Sequence, residues 1–148
     1  AKDLHTAEVR LDVGLGTFAP IRDADISAHQ MHSESCALDA ENAAKIAAAK
    51  AEGRRVLAVG TTVLRALESL HGQEGAMSTD IFLKPGDRFA VVDAVITNFH
   101  LPQSTLFMLV CAFSGTDAMK AAYAHAITSR YRFFSYGDGC FLEAQNAP

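Results

Sequence analysis

Residues 55–70 read RVLAVGTTVLRALESL, and the change of period inside this run decides the fold class. Up to Val59 the residues are apolar and β-favouring, as in a short buried strand. Gly60-Thr61-Thr62 then interrupts as a tight turn. From about Val63, the apolar residues Val63, Leu64, Leu67 and Leu70 recur on one helical face. A strand, a turn and a helix in so short a run form the repeating unit of α/β proteins.

The flanks repeat the pattern. Towards the N-terminus, Asp39 is placed to cap a helix running to about Glu52, with Gly53 as its stop. Ala40, Ala43, Ala44, Ala47 and Ala51 lie along it, small enough for close approach to a sheet. Residues 34–38 form a short strand, and residues 9–13 alternate as a half-buried one. Between them, Gly14 opens a glycine-bounded turn and a loop that ends near Ser33. Towards the C-terminus, residues 79–83 and 89–97 are strand-like on either side of a Lys84-Pro85-Gly86-Asp87 turn, the second being the longest candidate. Helices follow over about 104–113 and 117–129, and residues 132–142 read as two short strands around Gly137-Asp138-Gly139. The prediction is an α/β fold, with a mixed, mostly parallel sheet flanked by helices, in a single domain over residues 1–148.

Composition narrows the class. The chain has 148 residues, 49% hydrophobic and 20% charged, which suits one ordinary core and argues against disorder. A net charge of −4 argues against a broad nucleic-acid surface. Cys36, Cys111 and Cys140 are far apart with no C-x-x-C spacing, so reduced thiols are expected. No signal peptide and no charge-free run of transmembrane length is seen, so the expectation is a cytoplasmic protein with no membrane partner. Residues 1–8 carry no cap or turn chemistry ahead of a strand already under way, so the chain reads as a piece of something longer.

Residues 97–105, TNFHLPQST, are the most chemically suggestive run. They set Asn98, His100 and Ser104 around Pro102 where a strand gives way to a helix, and loops leaving strand ends are where α/β proteins place their chemistry. The plainer reading has Pro102 setting the helix entry and Ser104 capping it. Gly60-Thr61-Thr62, with Arg65 and Glu68 one and two turns on, suits a carboxylate or phosphate at a helix start. It suits equally a capped helix with a solvated Arg65–Glu68 pair. His29-x-x-His32-x-Glu34 has metal-site composition, yet no assured helix and no fourth ligand accompany it. A polar pocket loop, with His32 and Glu34 as a proton-transfer or hydrogen-bonding pair, is the preferred reading, and no metal is expected. Gly14-Leu15-Gly16-Thr17 lacks the third glycine and the helix of a dinucleotide fingerprint. Asp80 puts a carboxylate at a strand entrance. Asp93, inside an apolar strand, must have a partner, face solvent or do chemistry. Asp138 is most simply a hairpin-turn residue. Neither a nucleophile elbow, a Walker loop nor a zinc-protease motif is present.

Taken in order, VGLGTF (13–18) with Pro20, HQMHSE (29–34), AEGRRVLAVGTT (51–62), LRALES (64–69), TDIFLKPG (79–86), TNFHLPQSTLFMLV (97–110) and YRFFSYGD (131–138) cover nearly all of residues 9–142. Together they resemble the S-adenosylmethionine:tRNA ribosyltransferase-isomerase family of queuosine biosynthesis. The resemblance implies transfer and isomerisation of the ribosyl group of S-adenosylmethionine onto the 7-aminomethyl-7-deazaguanine base at the tRNA wobble position. The product is epoxyqueuosine, adenine and methionine are released, and S-adenosylmethionine is a consumed substrate. Such chemistry needs a base beside the sulfonium, an acid for the departing adenine and donors for the methionine carboxylate. Among matching positions, His100, Asp80, His32 and Glu34 are the proton-transfer candidates. Thr61, Thr62 and Arg65 are candidates for anion contacts, and Asn98 and Ser104 for positioning.

Four positions depart from the family's pattern. Asp12 stands where members carry His, Lys84 replaces an aromatic, and Gly139-Cys140 replaces Ala-Met. Members are also more than twice this length. The chain therefore reads as the C-terminal half of such an enzyme, without the inserted β-domain and with much of the tRNA surface elsewhere. Two functions are open, the catalytic portion of the enzyme or an inactive fragment that binds ligand or oligomerises. Missing sheet neighbours predict a homodimer.

Overall fold

The computed structural model describes residues 4–14 and 31–145. The elements run β1 (Arg10–Asp12), β2 (Glu34–Leu38), α1 (Ala40–Ala51), β3 (Leu57–Val59), α2 (Thr61–Leu70), β4 (Gly75–Thr79), β5 (Ala94–Asn98), α3 (Thr105–Ser114), α4 (Thr116–Thr128) and β6 (Gly139–Glu143), with a 3₁₀ turn at Phe134–Tyr136. The α/β class read from the sequence holds. The strands divide into two three-stranded sheets, ordered β1-β2-β4 and β3-β5-β6.

Polarity is where the picture changes. Among the described residues only β3–β5 is a parallel pair, while β1–β2, β2–β4 and β5–β6 are antiparallel. A helix between two strands enforces a parallel pair only when both strands join the same sheet. Here α1 links β2 to β3 and α2 links β3 to β4, and each link changes sheet. Between β5 and β6 the chain makes two helices, α3 and α4, and returns antiparallel.

Local chemistry sets the element ends. The Asp39 carboxylate accepts the Asn42 N–H at 2.8 Å and caps α1. The Ser104 hydroxyl accepts the Phe107 N–H at 3.1 Å and caps α3. The strand expected over 79–83 lies instead at Gly75–Thr79, and the Thr79 hydroxyl accepts the Ile81 N–H at 3.2 Å just past its end. The strand expected over 89–97 begins only at Ala94. Before it, the backbone N–H groups of Ala90, Val91 and Val92 donate to the Glu68 carboxylate at 2.9, 3.0 and 2.9 Å, so no ladder claims them. In the tail, a 3₁₀ turn stands in place of the first of two expected strands.

Helix α2 packs against strands of both sheets and carries the centre of the core. Leu64 and Leu67 on α2 join Cys36 and Leu38 of β2, Ala58 of β3, Val95 of β5 and Val110 and Phe113 of α3 in one buried cluster. Each fully buried aliphatic side chain of this kind contributes about 1.5–3 kcal/mol. The three cysteines are free thiols, Cys36 and Cys111 buried and Cys140 partly so, with burial raising each thiol's pKa. No described helix is long and apolar enough to cross a membrane.

The second sheet has one face turned to the core and, on the other, one exposed apolar row. Ala58, Val95 and Leu142 point into the core. On the opposite face Val59, Ile96 and Phe141 are paired in register as one cross-strand row, 66%, 42% and 54% exposed.

Candidate functional site

The parallel pair creates the site. Chain leaving the C-terminal ends of β3 and β5 runs directly into α2 and α3, and the space between these two exits is a cavity of about 280 Å³. Clefts at the carboxyl ends of parallel strands are the usual ligand positions in α/β folds. Gly60 makes the first exit, with φ at 96°, a backbone region that side chains disfavour. Its N–H donates to the Ile96 carbonyl at 2.8 Å and ties the turn to β5. Among the described residues no side chain caps α2, so its opening turn, with Thr61 and Thr62, stands at the cavity. Neither threonine serves as the cap that the sequence left open.

The second exit is the HLPQST segment. His100 is buried, with Nε2 3.1 Å from the Thr97 hydroxyl, and its backbone N–H donates to the Tyr123 hydroxyl at 2.9 Å. Burial pushes the His100 pKa down to about 4, so the ring is neutral at physiological pH. Burial likewise raises the Tyr123 pKa, keeping that hydroxyl protonated. Asn98 donates from Nδ2 to the Asp138 carbonyl at 3.0 Å. The Asp138 carboxylate, its pKa lowered by the Arg132 side chain, accepts the Arg132 N–H at 2.6 Å. This ties the tail's 3₁₀ turn to the cavity mouth. Gly139 lets β6 approach β5 there, since a Cβ at this position would lie 2.8 Å from the Thr97 carbonyl. Ser104 donates to the Leu101 carbonyl at 2.7 Å besides capping α3, so its hydroxyl proton is committed locally.

Of the residues singled out in the sequence, Thr61, Thr62, Asn98, His100 and Ser104 line this one cavity. Four others lie elsewhere. Glu34 and Arg65 are buried against each other at 2.7 Å, with the Gly14 N–H also donating to Glu34 at 2.9 Å. Among the described residues, two Arg65 donors, Nε and Nη2, have no hydrogen-bond partner. The Arg65–Glu68 pair does not form a solvated bridge, because Arg65 turns to β2 and Glu68 to the 90–92 backbone. Asp80 and His32 are exposed and away from the cavity lining, and His29 and residues 15–20 of the glycine segment lie outside the described residues. Among the described residues no three His, Cys, Asp or Glu side chains cluster to hold a metal ion. Asp93 has partners: its carboxylate accepts the Val56 N–H at 2.7 Å and lies 3.6 Å from Lys50 Nζ. Asp12 is exposed and paired with Arg10 at 2.8 Å.

The cavity also holds residues that the sequence reading did not assign a role. Thr97 is the ring partner of His100, and the Thr-x-x-His spacing was the available signal. Phe134 and Ser135 form part of the lining and come from the far end of the chain. Their run, YRFFSYGD, was among the strings carrying the resemblance, but only folding brings the tail to the β5 exit.

Residues 1–142 match the family described as queuosine biosynthesis protein. The chain is 57% identical to the S-adenosylmethionine:tRNA ribosyltransferase-isomerase of Maricaulis maris, over 97% of this chain and 42% of that protein. It is 56% identical to the protein of the same name from Thiobacillus denitrificans, over 95% of this chain and 42% of that one. Its structure is similar to the crystal structure of S-adenosylmethionine tRNA ribosyltransferase from Thermotoga maritima, with a TM-score of 0.68 and 43% identity over 73% of this chain and 40% of that one. The chain thus spans less than half the length of the curated relatives it matches.

Proposed function

This chain belongs to the queuosine biosynthesis protein family, and from that premise we propose that it carries part of the active site of an S-adenosylmethionine:tRNA ribosyltransferase-isomerase. The reaction moves and isomerises the ribosyl group of S-adenosylmethionine onto the 7-aminomethyl-7-deazaguanine base of tRNA, giving epoxyqueuosine and releasing adenine and methionine. In this reading the chain is the C-terminal portion of the family's large α/β domain, acts in the cytoplasm and needs no metal.

The observation that carries the proposal is the convergence of both strand exits on one cavity, with His100 at its wall. The neutral imidazole, unprotonated at physiological pH, is available to accept a proton next to the sulfonium. The uncapped start of α2, with the Thr61 and Thr62 hydroxyls, suits the methionine carboxylate. Asn98 and Ser104 position the loops around the substrate. Glu34 and Arg65 are buried against each other away from this cavity, and in this reading they serve the site by holding α2 against β2. Asp80 and His32 enter the chemistry only if parts of the family protein outside this chain bring substrate to them.

The test is adenine release from S-adenosylmethionine, followed by mass spectrometry, with tRNA carrying the 7-aminomethyl base. The chain is assayed alone and fused to the portion of the Maricaulis maris protein outside the match. Release that depends on this tRNA and is lost in His100→Ala is the expected result. No release in either form overturns the proposal.

A further inference from the structure

The cavity mouth carries an aromatic ring for which the proton-handling groups have no use. Phe133 and Phe134 are consecutive, yet their environments differ. Phe133 packs against Phe99 and Tyr123, with ring centroids at 5.5 and 5.8 Å. Phe134 lines the cavity and is 46% exposed. The backbone separates the two, because Phe134 has φ at 58°, a left-handed conformation that is strained for a bulky side chain. Two anchors hold it there. The Phe134 N–H donates to the Phe99 carbonyl at 3.0 Å, and the turn that follows is fixed by Asn98 and Arg132 through Asp138.

A strained backbone that presents a large apolar ring to water at a cavity gains its compensation when a flat ligand covers the ring. We propose that Phe134 is a stacking platform for a purine-type base bound in this cavity. Aromatic side chains stack with bases readily because every base has a π-face. Thr61, Thr62 and Asn98 offer polar groups in the same lining. At about 280 Å³ the space suits one base or nucleoside, being at the small end of ligand pockets.

The platform deepens the proposed activity and rests on it for the source of the base. The adenine of S-adenosylmethionine and the deazaguanine of the tRNA share the required fused, flat ring. Proton NMR titration of the 148-residue chain separates them, with adenosine in one arm and 7-aminomethyl-7-deazaguanine in the other. Phe134→Gly is the informative variant because it removes the ring and relieves the positive φ, so lost binding does not reflect lost folding. Binding of one base with upfield ring-current shifts, at least tenfold weaker in Phe134→Gly and retained in Phe134→Tyr, is the expected result. Binding of neither base, or equal affinity in Phe134→Gly, overturns the platform. A chain that binds a base through Phe134 but never releases adenine sinks the transfer activity and leaves the platform standing. Adenine release with base affinity unchanged in Phe134→Gly does the reverse.

Discussion

At the scale of single residues, His100 couples the cavity to folding. Its pKa lies at about 4 in the folded chain against an ordinary 6.5, because burial disfavours the charged ring. The unfolded chain therefore binds the proton first as acid is added, and stability falls. The contribution is fully present above about pH 6.5 and disappears as pH drops through about 4. The two values correspond to about 3 kcal/mol. His100→Gln removes the titration, so urea unfolding of wild type and variant should diverge by about that amount between pH 7 and pH 4. Parallel curves would show that His100 does not titrate as buried. The same neutrality makes His100 a proton acceptor across the physiological range, so its activity profile should show no loss on the acid side until well below pH 6.

At the scale of elements, α2 does three tasks along one face. Thr61 meets the cavity, Arg65 grips β2 through Glu34, and Glu68 gathers the backbone of residues 90–92. Removing one member of a buried ion pair costs about 3–5 kcal/mol, whereas replacing both by apolar groups is often neutral or better. Urea unfolding of Arg65→Met should show a loss of that order, and the double variant Arg65→Met with Glu34→Leu should recover most of it. A double variant as unstable as the sum of its parts would mean the two residues act independently. These tasks also mark where sequence reading stopped. Helices α1 and α3 were legible because Asp39 and Ser104 cap them locally. The early part of the 89–97 strand was misread because its amides are taken by Glu68, a partner that periodicity cannot reveal. Arg65 and Glu68 looked like a surface pair for the same reason, their true partners lying on other elements.

At the scale of the whole molecule, the candidate site was half legible. The TNFHLPQST run and the Gly60-Thr61-Thr62 turn pointed to the cavity because each borders its own strand, while Phe134 and Ser135 reach it only through the tertiary fold. The bare row of Val59, Ile96 and Phe141 carries the expectation of a homodimer to one face. Contiguous exposed apolar surface of this kind favours association. Sedimentation velocity should show a concentration-dependent dimer that Ile96→Lys converts to monomer, and a wild-type chain monomeric at high concentration would refute it. Helix α2 has a last implication, for anyone recombining pieces of related chains. Its residues hold partners on β2 and on the 90–92 segment, so transplanting β3 and α2 by themselves would bring in a guanidinium and a carboxylate cut for another host. A block that keeps both of these partnerships must reach at least from residue 34 to residue 92, and crossover points belong outside that span.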